Sequence, residues 1–232
     1  MPSSPCSQGL LWDLENLLEL SRNRRVPKNV AVFAQGAEAR SFFVLLDGYV
    51  RATKTTADGN EITVRYVCPG EIFGVAAAIG LDHYPATAVA VVDATILSWP
   101  SAQWRVLAEK YPELAMNAIR TVGSRLQDAH TRVIELTSEE VECRVARTLL
   151  RLADQAGRHV EQGIEIEIPL RRHDVAQLTG TTLHSVSRVL SSWEKKGLVS
   201  TNHLRIVLRD SAVLAAIADG NNLGTAGVRR DQ

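Results

Sequence analysis

Residues 171–199, RRHDVAQLTGTTLHSVSRVLSSWEKKGLV, contain the pattern that decides how this chain is built. Apolar positions at Val175 and Leu178 predict the buried face of a short helix, and Gly180 predicts the turn that follows it. Thr182 is then a suitable N-cap for a second helix. Two short helices joined at this spacing predict a helix-turn-helix.

The second helix of this pair has two different faces. Its apolar positions, at i, i+3, i+4 and i+7, predict the buried side: Val186, Val189, Leu190 and Trp193. Polar residues occupy the opposite side: His184, Ser187, Arg188 and Ser191. A recognition helix places such residues against base edges in the major groove, where Arg pairs bidentately with guanine. We therefore predict base reading by His184, Ser187 and Arg188. The alternative is that they form only the solvated face of an amphipathic helix.

Charge is distributed unevenly along the chain. The whole chain is neutral, with 26 basic and 26 acidic residues, which excludes a histone-like coating protein. Between Pro169 and Arg209, however, seven basic residues face two acidic ones, a local net charge of +5. This excess favours a DNA-binding end, where phosphate contacts set register and give salt-dependent affinity. The predicted backbone contacts are Arg172, His173, Thr181, Thr182, Ser185 and Lys196.

A heptad pattern precedes this region, in a helix predicted from residue 101 to residue 136. Its apolar positions predict a dimer seam: Ile119, Val122, Leu126, Ala129, Val133 and Leu136. A narrow seam of this kind favours a homodimer, although the same stripe could instead pack on the chain's own N-terminal half. Thr137 and Glu140 are spaced as a capping box, which predicts a helix restart and a domain boundary.

The N-terminal half has a different sequence pattern, in which short apolar runs are separated by Gly36, Gly48, Gly59 and Gly70. This spacing predicts an all-β barrel, in which the segment 68–89 forms a short helix with tight turns. The predicted fold class is α+β: a β-barrel of jelly-roll type, a long dimerisation helix and a C-terminal winged helix-turn-helix. The predicted domains are 1–100, a barrel with an N-terminal helix; 101–137, dimer helix and hinge; 138–220, DNA-binding domain; and 221–232, a flexible tail.

Composition and motifs exclude several classes of protein. The three cysteines, Cys6, Cys68 and Cys143, are far apart and form no CxxC pair, so no disulfide framework or cysteine metal site is expected. We also expect no signal peptide and no membrane span, hence a cytoplasmic protein. Because GxSxG, Walker and HExxH motifs do not occur, we expect no enzyme.

The order of barrel, long helix and helix-turn-helix resembles the Crp/Fnr family of bacterial transcription regulators, over about residues 24–220. The resemblance rests on three stretches: SFFVLLDGYVRATKTTADGNEITVRYVCPGEIFG, SRLQDAHTRVIELTSEEVECRVARTLLRLA and HDVAQLTGTTLHSVSRVLSSWEKKGLV. It implies a homodimer on a palindromic operator in double-stranded DNA, with RNA polymerase as a further partner of an activator. It also implies that the barrel transmits an effector signal through the dimer helices.

Departures from the family pattern reduce the number of effectors that this chain is expected to bind. Cyclic-AMP-binding members carry a Glu and an Arg-Ser pair, where this chain has Val75-Ala76-Ala77 and Pro85-Ala86-Thr87. We therefore expect no cyclic AMP binding, because the phosphate would lose its charge-assisted contact. A lone Cys6 cannot hold an iron-sulfur cluster. Carbon-monoxide-sensing members have a haem-ligating His where this chain has Ala76.

The stretch GTTLHSVSRVLSSWE resembles the recognition helix of the nitric-oxide-responsive, Nnr-type denitrification regulators. This likeness implies nitric oxide sensing through haem and control of nitrogen-oxide respiration genes; the alternative is another effector or none. The candidate haem ligands are His83 and His130, each of which could equally be an ordinary surface or interface residue. His184 replaces the Glu common in the family, so the preferred half-site is expected to differ at that base.

Overall fold

The computed structural model describes residues 18–138 and 140–220. Cys6, most of the predicted N-terminal helix region and the predicted tail lie outside these ranges. The chain divides into two compact units, Met1–Gln127 and Asp128–Gln232. No helix in the described ranges is long and apolar enough to span a membrane.

The first unit contains two four-stranded antiparallel sheets. Their orders are β1-β8-β3-β6 and β2-β7-β4-β5. The strands are β1 (Arg22–Val26), β2 (Ala31–Phe33), β3 (Ser41–Asp47), β4 (Val50–Thr55), β5 (Glu61–Val67), β6 (Ile72–Phe73), β7 (Thr87–Ala90) and β8 (Ala94–Pro100). The predicted fold class is confirmed. Segment 68–89, predicted to form a short helix with tight turns, contains a 3-10 helix at Ala77–Ile79, but β6 and the start of β7 also lie within it.

The turn between β3 and β4 depends on a glycine. Gly48 has φ +84, in the left-handed region, and a Cβ there would come within 2.5 Å of the Asp93 carbonyl oxygen. Gly59, in the β4–β5 hairpin, has φ +80 but open space around it. Both glycines allow a left-handed backbone conformation, and only Gly48 also allows another part of the backbone to approach closely.

The barrel side chains form two hydrophobic clusters. Leu45, Val50 and Ile96 are fully buried in one of them. The other combines Phe42 and Trp99, stacked with ring centroids 5.4 Å apart, with residues of two helices, α1 (Trp104–Lys110) and α2 (Pro112–Ser138). These helices therefore begin as part of the barrel's own core.

Helix α2 carries the predicted dimer seam, and its side chains divide into two sets. Val122 packs against the barrel cluster, so this part of the seam belongs to the chain's own core. Ile119, Leu126 and Val133 are instead 63%, 58% and 62% exposed, at seven-residue intervals. Ala129 is also exposed, whereas of Leu136 only the helical backbone is described. One edge of α2 is thus an apolar stripe open to solvent in the single chain; we call Ile119, Leu126 and Val133 the α2 stripe.

The helix restart differs from the prediction. Helix α2 continues through Thr137 to Ser138, and the next helix, α3 (Val141–Ala156), has Glu140 as its N-cap with no side-chain capping bond. The predicted capping box is therefore wrong, because Thr137 is already helical and cannot serve as the cap. The division between the two compact units falls earlier, within α2.

The second unit joins helices to a four-stranded antiparallel sheet of order β11-β12-β10-β9. Its remaining elements are β9 (Gly157–Val160), β10 (Gly163–Ile166), α4 (Arg172–Thr179), α5 (Leu183–Lys195), β11 (Val199–Asn202), β12 (Arg205–Leu208) and α6 (Ser211–Ala218). Strands β9 and β10 pair in a tight hairpin. The two short helices of the predicted helix-turn-helix are confirmed, and β11 and β12 form the strand pair that follows them.

Candidate nucleic-acid interface

The turn between α4 and α5 is built by local hydrogen bonds. Gly180 ends α4 with φ 60, and the Thr181 N–H donates to the Ala176 carbonyl at 3.0 Å. The Thr182 hydroxyl accepts from the Ser185 N–H at 3.1 Å, which confirms Thr182 as the N-cap of α5. Left-handed glycine and polar cap together fix the angle at which α5 leaves the turn.

Helix α5 has the two faces that the sequence predicts. Val186, Val189, Leu190 and Trp193 are each at most 2% exposed. On the other face His184 and Arg188 are exposed and Ser187 is half-buried. Within the described ranges Arg188 has no hydrogen bond or ion pair. An arginine that is fixed at the backbone and free at the guanidinium can present its fork of donors to a base edge.

The predicted phosphate-contacting side chains differ in availability. Exposed His173 lies with Nε2 3.1 Å from the Gln177 side-chain nitrogen, and Lys196 is exposed at the end of α5. The hydroxyls of Thr182 and Ser185 lie 3.0 Å apart and already take part in the cap. Thr181 is half-buried, but its backbone N–H is used within the turn.

Arg172 takes part in a network of contacts that the sequence did not indicate. Its guanidinium donates to Ser191 Oγ at 3.2 Å, to Glu194 Oε2 at 3.3 Å and to Thr201 Oγ1 at 3.4 Å. Glu194 also accepts from the Thr201 N–H at 3.1 Å. Arg172 therefore joins α4 to α5 and β11, and its phosphate contact stays a prediction.

The strand pair β11–β12 forms a wing with a tight turn, in which His203 has φ 52. Two of the basic residues counted in this region, one at the start of β12 and one just after it, have polar partners. Arg205 lies 3.2 Å from a Glu165 oxygen, and Arg209 donates to the Gln162 side chain at 3.2 Å. The number of basic residues without a partner, which are available for phosphates, is therefore smaller than the sequence count. Lys195 and Lys196, exposed at the end of α5, are among those available.

The barrel holds a cavity of about 270 Å³, which we call the barrel cavity. Most of its wall is apolar, and the segments that depart from the cyclic-AMP pattern form part of it. Its cationic lining residues are Lys54 of β4, Arg65 of β5 and Arg125 of α2, and no Asp or Glu lines it among the described residues. Arg65 is paired with Glu71 at 2.9 Å.

The two candidate haem ligands do not reach the barrel cavity. His83 is exposed, in an isolated bridge with Glu38, and His130 is exposed on α2. Neither lines the cavity. Cys68 is 5% exposed, and burial raises the pKa of its thiol to about 11. Because their side chains are buried, Cys68, Tyr66 and Trp99 are core residues. A neutral thiol such as that of Cys68 is also a poor nucleophile and a poor metal ligand.

Comparison with known proteins identifies the two units. Residues 23–111 match the cyclic nucleotide-binding domain family, and residues 143–217 match the Crp-like helix-turn-helix domain. The Cyclic AMP receptor protein of Thermus thermophilus is 31% identical over 221 residues, which cover 95% of this chain and 99% of that protein.

The chain belongs to the Crp/Fnr family of transcriptional regulators.

Solved structures of Crp/Fnr proteins share its fold. A CRP-family transcriptional regulator from Thermus thermophilus matches with a TM-score of 0.70 at 30% identity, covering 84% of this chain and 96% of that one. FixK2 from Bradyrhizobium japonicum matches with a TM-score of 0.73 at 22% identity, again over 84% of this chain and 96% of that one. The second likeness shows the fold alone.

Two features of this Crp/Fnr chain could not be predicted from its sequence. One is the role of Arg172, because its partners Glu194 and Thr201 are distant in sequence. The other is the set of cations around the barrel cavity, which come from two strands and a helix. The only sequence signal for the second was that Lys54 and Arg65 interrupt strand patterns, and Arg125 lies beside an apolar heptad position.

Proposed function

We propose that this DNA-binding Crp/Fnr-type transcription regulator acts as a homodimer on a palindromic operator. Its α5 helices read bases through His184, Ser187 and Arg188. The observation that carries the base-reading role is the exposed, unpaired Arg188 on a helix whose opposite face is buried. Proposed backbone contacts come from Arg172, His173, Thr181, Thr182, Ser185 and Lys196.

The dimer proposal is supported by the α2 stripe. Large apolar side chains more than half exposed at heptad spacing form a surface that a second helix of the same kind can cover. A homodimer is typical of the family, and its two-fold axis would generate two half-sites about one helical turn apart. Activation through RNA polymerase stays a prediction from the family resemblance.

Selection from random double-stranded DNA tests this function. We expect a palindromic sequence to be enriched, and two chains per duplex in sedimentation. Arg188→Ala should bind random DNA as before while losing preference for the selected operator. Enrichment of no sequence, or a single chain per duplex, would contradict the proposal.

A nitric oxide response through haem, with control of nitrogen-oxide respiration genes, is a separate proposal supported by the recognition-helix resemblance. Haem does not fit the barrel cavity through His83 or His130, because neither side chain lines it. Among the described residues no cluster of three or more His, Cys, Asp or Glu could hold a metal ion. Reconstitution with haem in anaerobic buffer tests this proposal: stoichiometric uptake that is lost in His130→Ala or His83→Ala would support it, and no uptake would contradict it.

A further inference from the structure

Leu183 is an exposed apolar residue at the start of the reading helix. It is the first residue of α5, directly after the N-cap Thr182, and it is 48% exposed. Across the described range 140–220, no other large hydrophobic side chain is exposed. The remaining large apolar residues of α5 are all buried. The position of Leu183 therefore needs a reason other than packing within the chain.

Helical periodicity places Leu183 beside the residues proposed to read bases. Leu183 and Ser187 lie four residues apart, so they share one row of α5, and His184 and Arg188 form the neighbouring row. The Thr182 side chain caps the helix and fixes the backbone of this first turn. The first turns of a recognition helix are the part that contacts base edges. Leu183 is thus the one large apolar side chain on a polar reading surface.

A leucine side chain can read only one feature of a base edge. It has no donor or acceptor, so it forms no hydrogen bond with the nitrogen and oxygen atoms that line the major groove. The apolar group on that edge is the C5-methyl group of thymine. Contact between the two removes apolar surface of both partners from water. The chemistry of Leu183 therefore matches a methyl group on a pyrimidine.

The surroundings of Leu183 favour DNA over a protein partner. A stable protein interface buries about 800 Å² on each partner and has an apolar core. Leu183 stands alone, next to exposed His184 and in the basic part of the chain. A single leucine is too small to form such a core, whereas one methyl group is a target of its own size.

We propose that Leu183 reads the C5-methyl group of one pyrimidine in each half-site. This inference deepens the proposed function, since it rests on α5 lying in the major groove. In an unmodified operator the pyrimidine is thymine. Cytosine carries the same group at the same place only when it is methylated to 5-methylcytosine. The chain therefore binds a half-site with 5-methylcytosine at this position more tightly than one with cytosine.

Deoxyuridine substitution tests this inference on the operator that selection identifies. Deoxyuridine keeps the base pair and the O4 acceptor of thymine and lacks only the methyl group. Each symmetric pair of thymines is replaced in turn, and the affinity of the full chain is measured by fluorescence anisotropy. We expect one such replacement to weaken binding about 10- to 25-fold, from a loss of about three- to fivefold in each half-site.

Two variants assign that methyl group to a side chain. Leu183→Ala should bind the thymine operator about as weakly as the original chain binds the deoxyuridine operator, with no further loss on deoxyuridine. His184→Ala, the matched control on the neighbouring row, should keep the full deoxyuridine effect. Because Leu183 is exposed and alanine favours a helix, Leu183→Ala should fold as the original chain does.

Cytosine methylation gives a second test at the same position. The identified thymines are replaced by cytosine or by 5-methylcytosine, each paired with guanine, so that the two duplexes differ only in the methyl groups. The original chain should bind the methylated duplex about 10- to 25-fold more tightly. Leu183→Ala should bind the two duplexes alike.

The possible results separate this inference from the proposed function. Binding that ignores every thymine methyl group, a deoxyuridine effect that persists in Leu183→Ala, or equal binding of the two cytosine duplexes would overturn the inference. If an operator is still enriched and its selection depends on Arg188, only the role of Leu183 is lost. If no operator is enriched, base reading by α5 is wrong and this inference falls with it.

Discussion

The guanidinium of Arg172, in the first turn of α4, lies 3.3 Å from a carboxylate oxygen of Glu194, in the last turn of α5. Both side chains are about one-third exposed, at 36% and 30%. Thr201 of β11 bonds to both residues. This network links both helices of the reading motif to the wing, so a side chain from the basic region helps to fix the geometry of the motif.

Arg172→Met should lower the free energy of unfolding by about 1–3 kcal/mol, because Glu194 would be left with an unbalanced, partly buried charge. A double-mutant cycle with Glu194→Gln, followed by urea denaturation, should show coupling on the order of 1 kcal/mol. The slope of the salt dependence of DNA affinity tests the predicted phosphate contact of Arg172: a slope reduced by about one unit would support it, and an unchanged slope would contradict it.

Arg188→Ala should reduce discrimination between operator and random DNA by about 10- to 100-fold for each half-site, since each chain loses one bidentate base contact. Lys196→Ala is the matched control: it should weaken binding to both DNAs alike and reduce the salt slope by about one unit. Fluorescence anisotropy at several salt concentrations measures both quantities. If Arg188→Ala behaved as Lys196→Ala does, the assignment of Arg188 to base reading would be wrong.

His184→Glu should change the preferred base at one position of each half-site, because a carboxylate accepts hydrogen bonds from cytosine N4 and an imidazole presents a different pattern. Selection from random DNA with each protein identifies that position. Ser200→Glu, a wing substitution away from the predicted reading set, is the comparison. Identical selected sequences for His184→Glu and the original chain would remove His184 from the reading set.

Leu126→Glu should dissociate the dimer, because it places an unpaired charge in the proposed seam. Val106→Glu controls for surface charge, since Val106 is 64% exposed on α1, outside the α2 stripe. Sedimentation velocity at micromolar concentration should find Leu126→Glu monomeric and Val106→Glu dimeric. A dimeric Leu126→Glu chain would show that the pair forms through another surface.

Gly48→Ala should destabilise the first unit by more than about 2 kcal/mol, because a left-handed L-residue costs roughly 1–2 kcal/mol before any clash. The added Cβ would also meet the Asp93 carbonyl oxygen at 2.5 Å. Gly59→Ala, with a similar φ and open space, should cost only the conformational part. Chemical denaturation compares the two, and equal losses would mean that the β3–β4 turn shifts to admit the methyl group.

Sequence patterns predicted those elements whose information is local. Glycine spacing located the barrel turns, and a 3.6-residue period with the Thr182 cap located α5, because these signals arise within a few neighbouring residues. The internal partners of Arg172 were not predicted, since they come from α5 and β11, which only the folded chain brings together. The capping box at Thr137 failed for a related reason: spacing alone does not show whether a residue is already helical.

If the α2 stripe pairs two chains, the amount of protein in the cell becomes a signal in its own right. If both halves of an operator require a paired chain, occupancy at low concentration rises with the square of the monomer concentration. A modest change in the rate at which the chain is synthesised would then change operator occupancy more than proportionally. We expect the expression of a gene controlled in this way to change as sharply with the concentration of this chain as with any effector in the barrel.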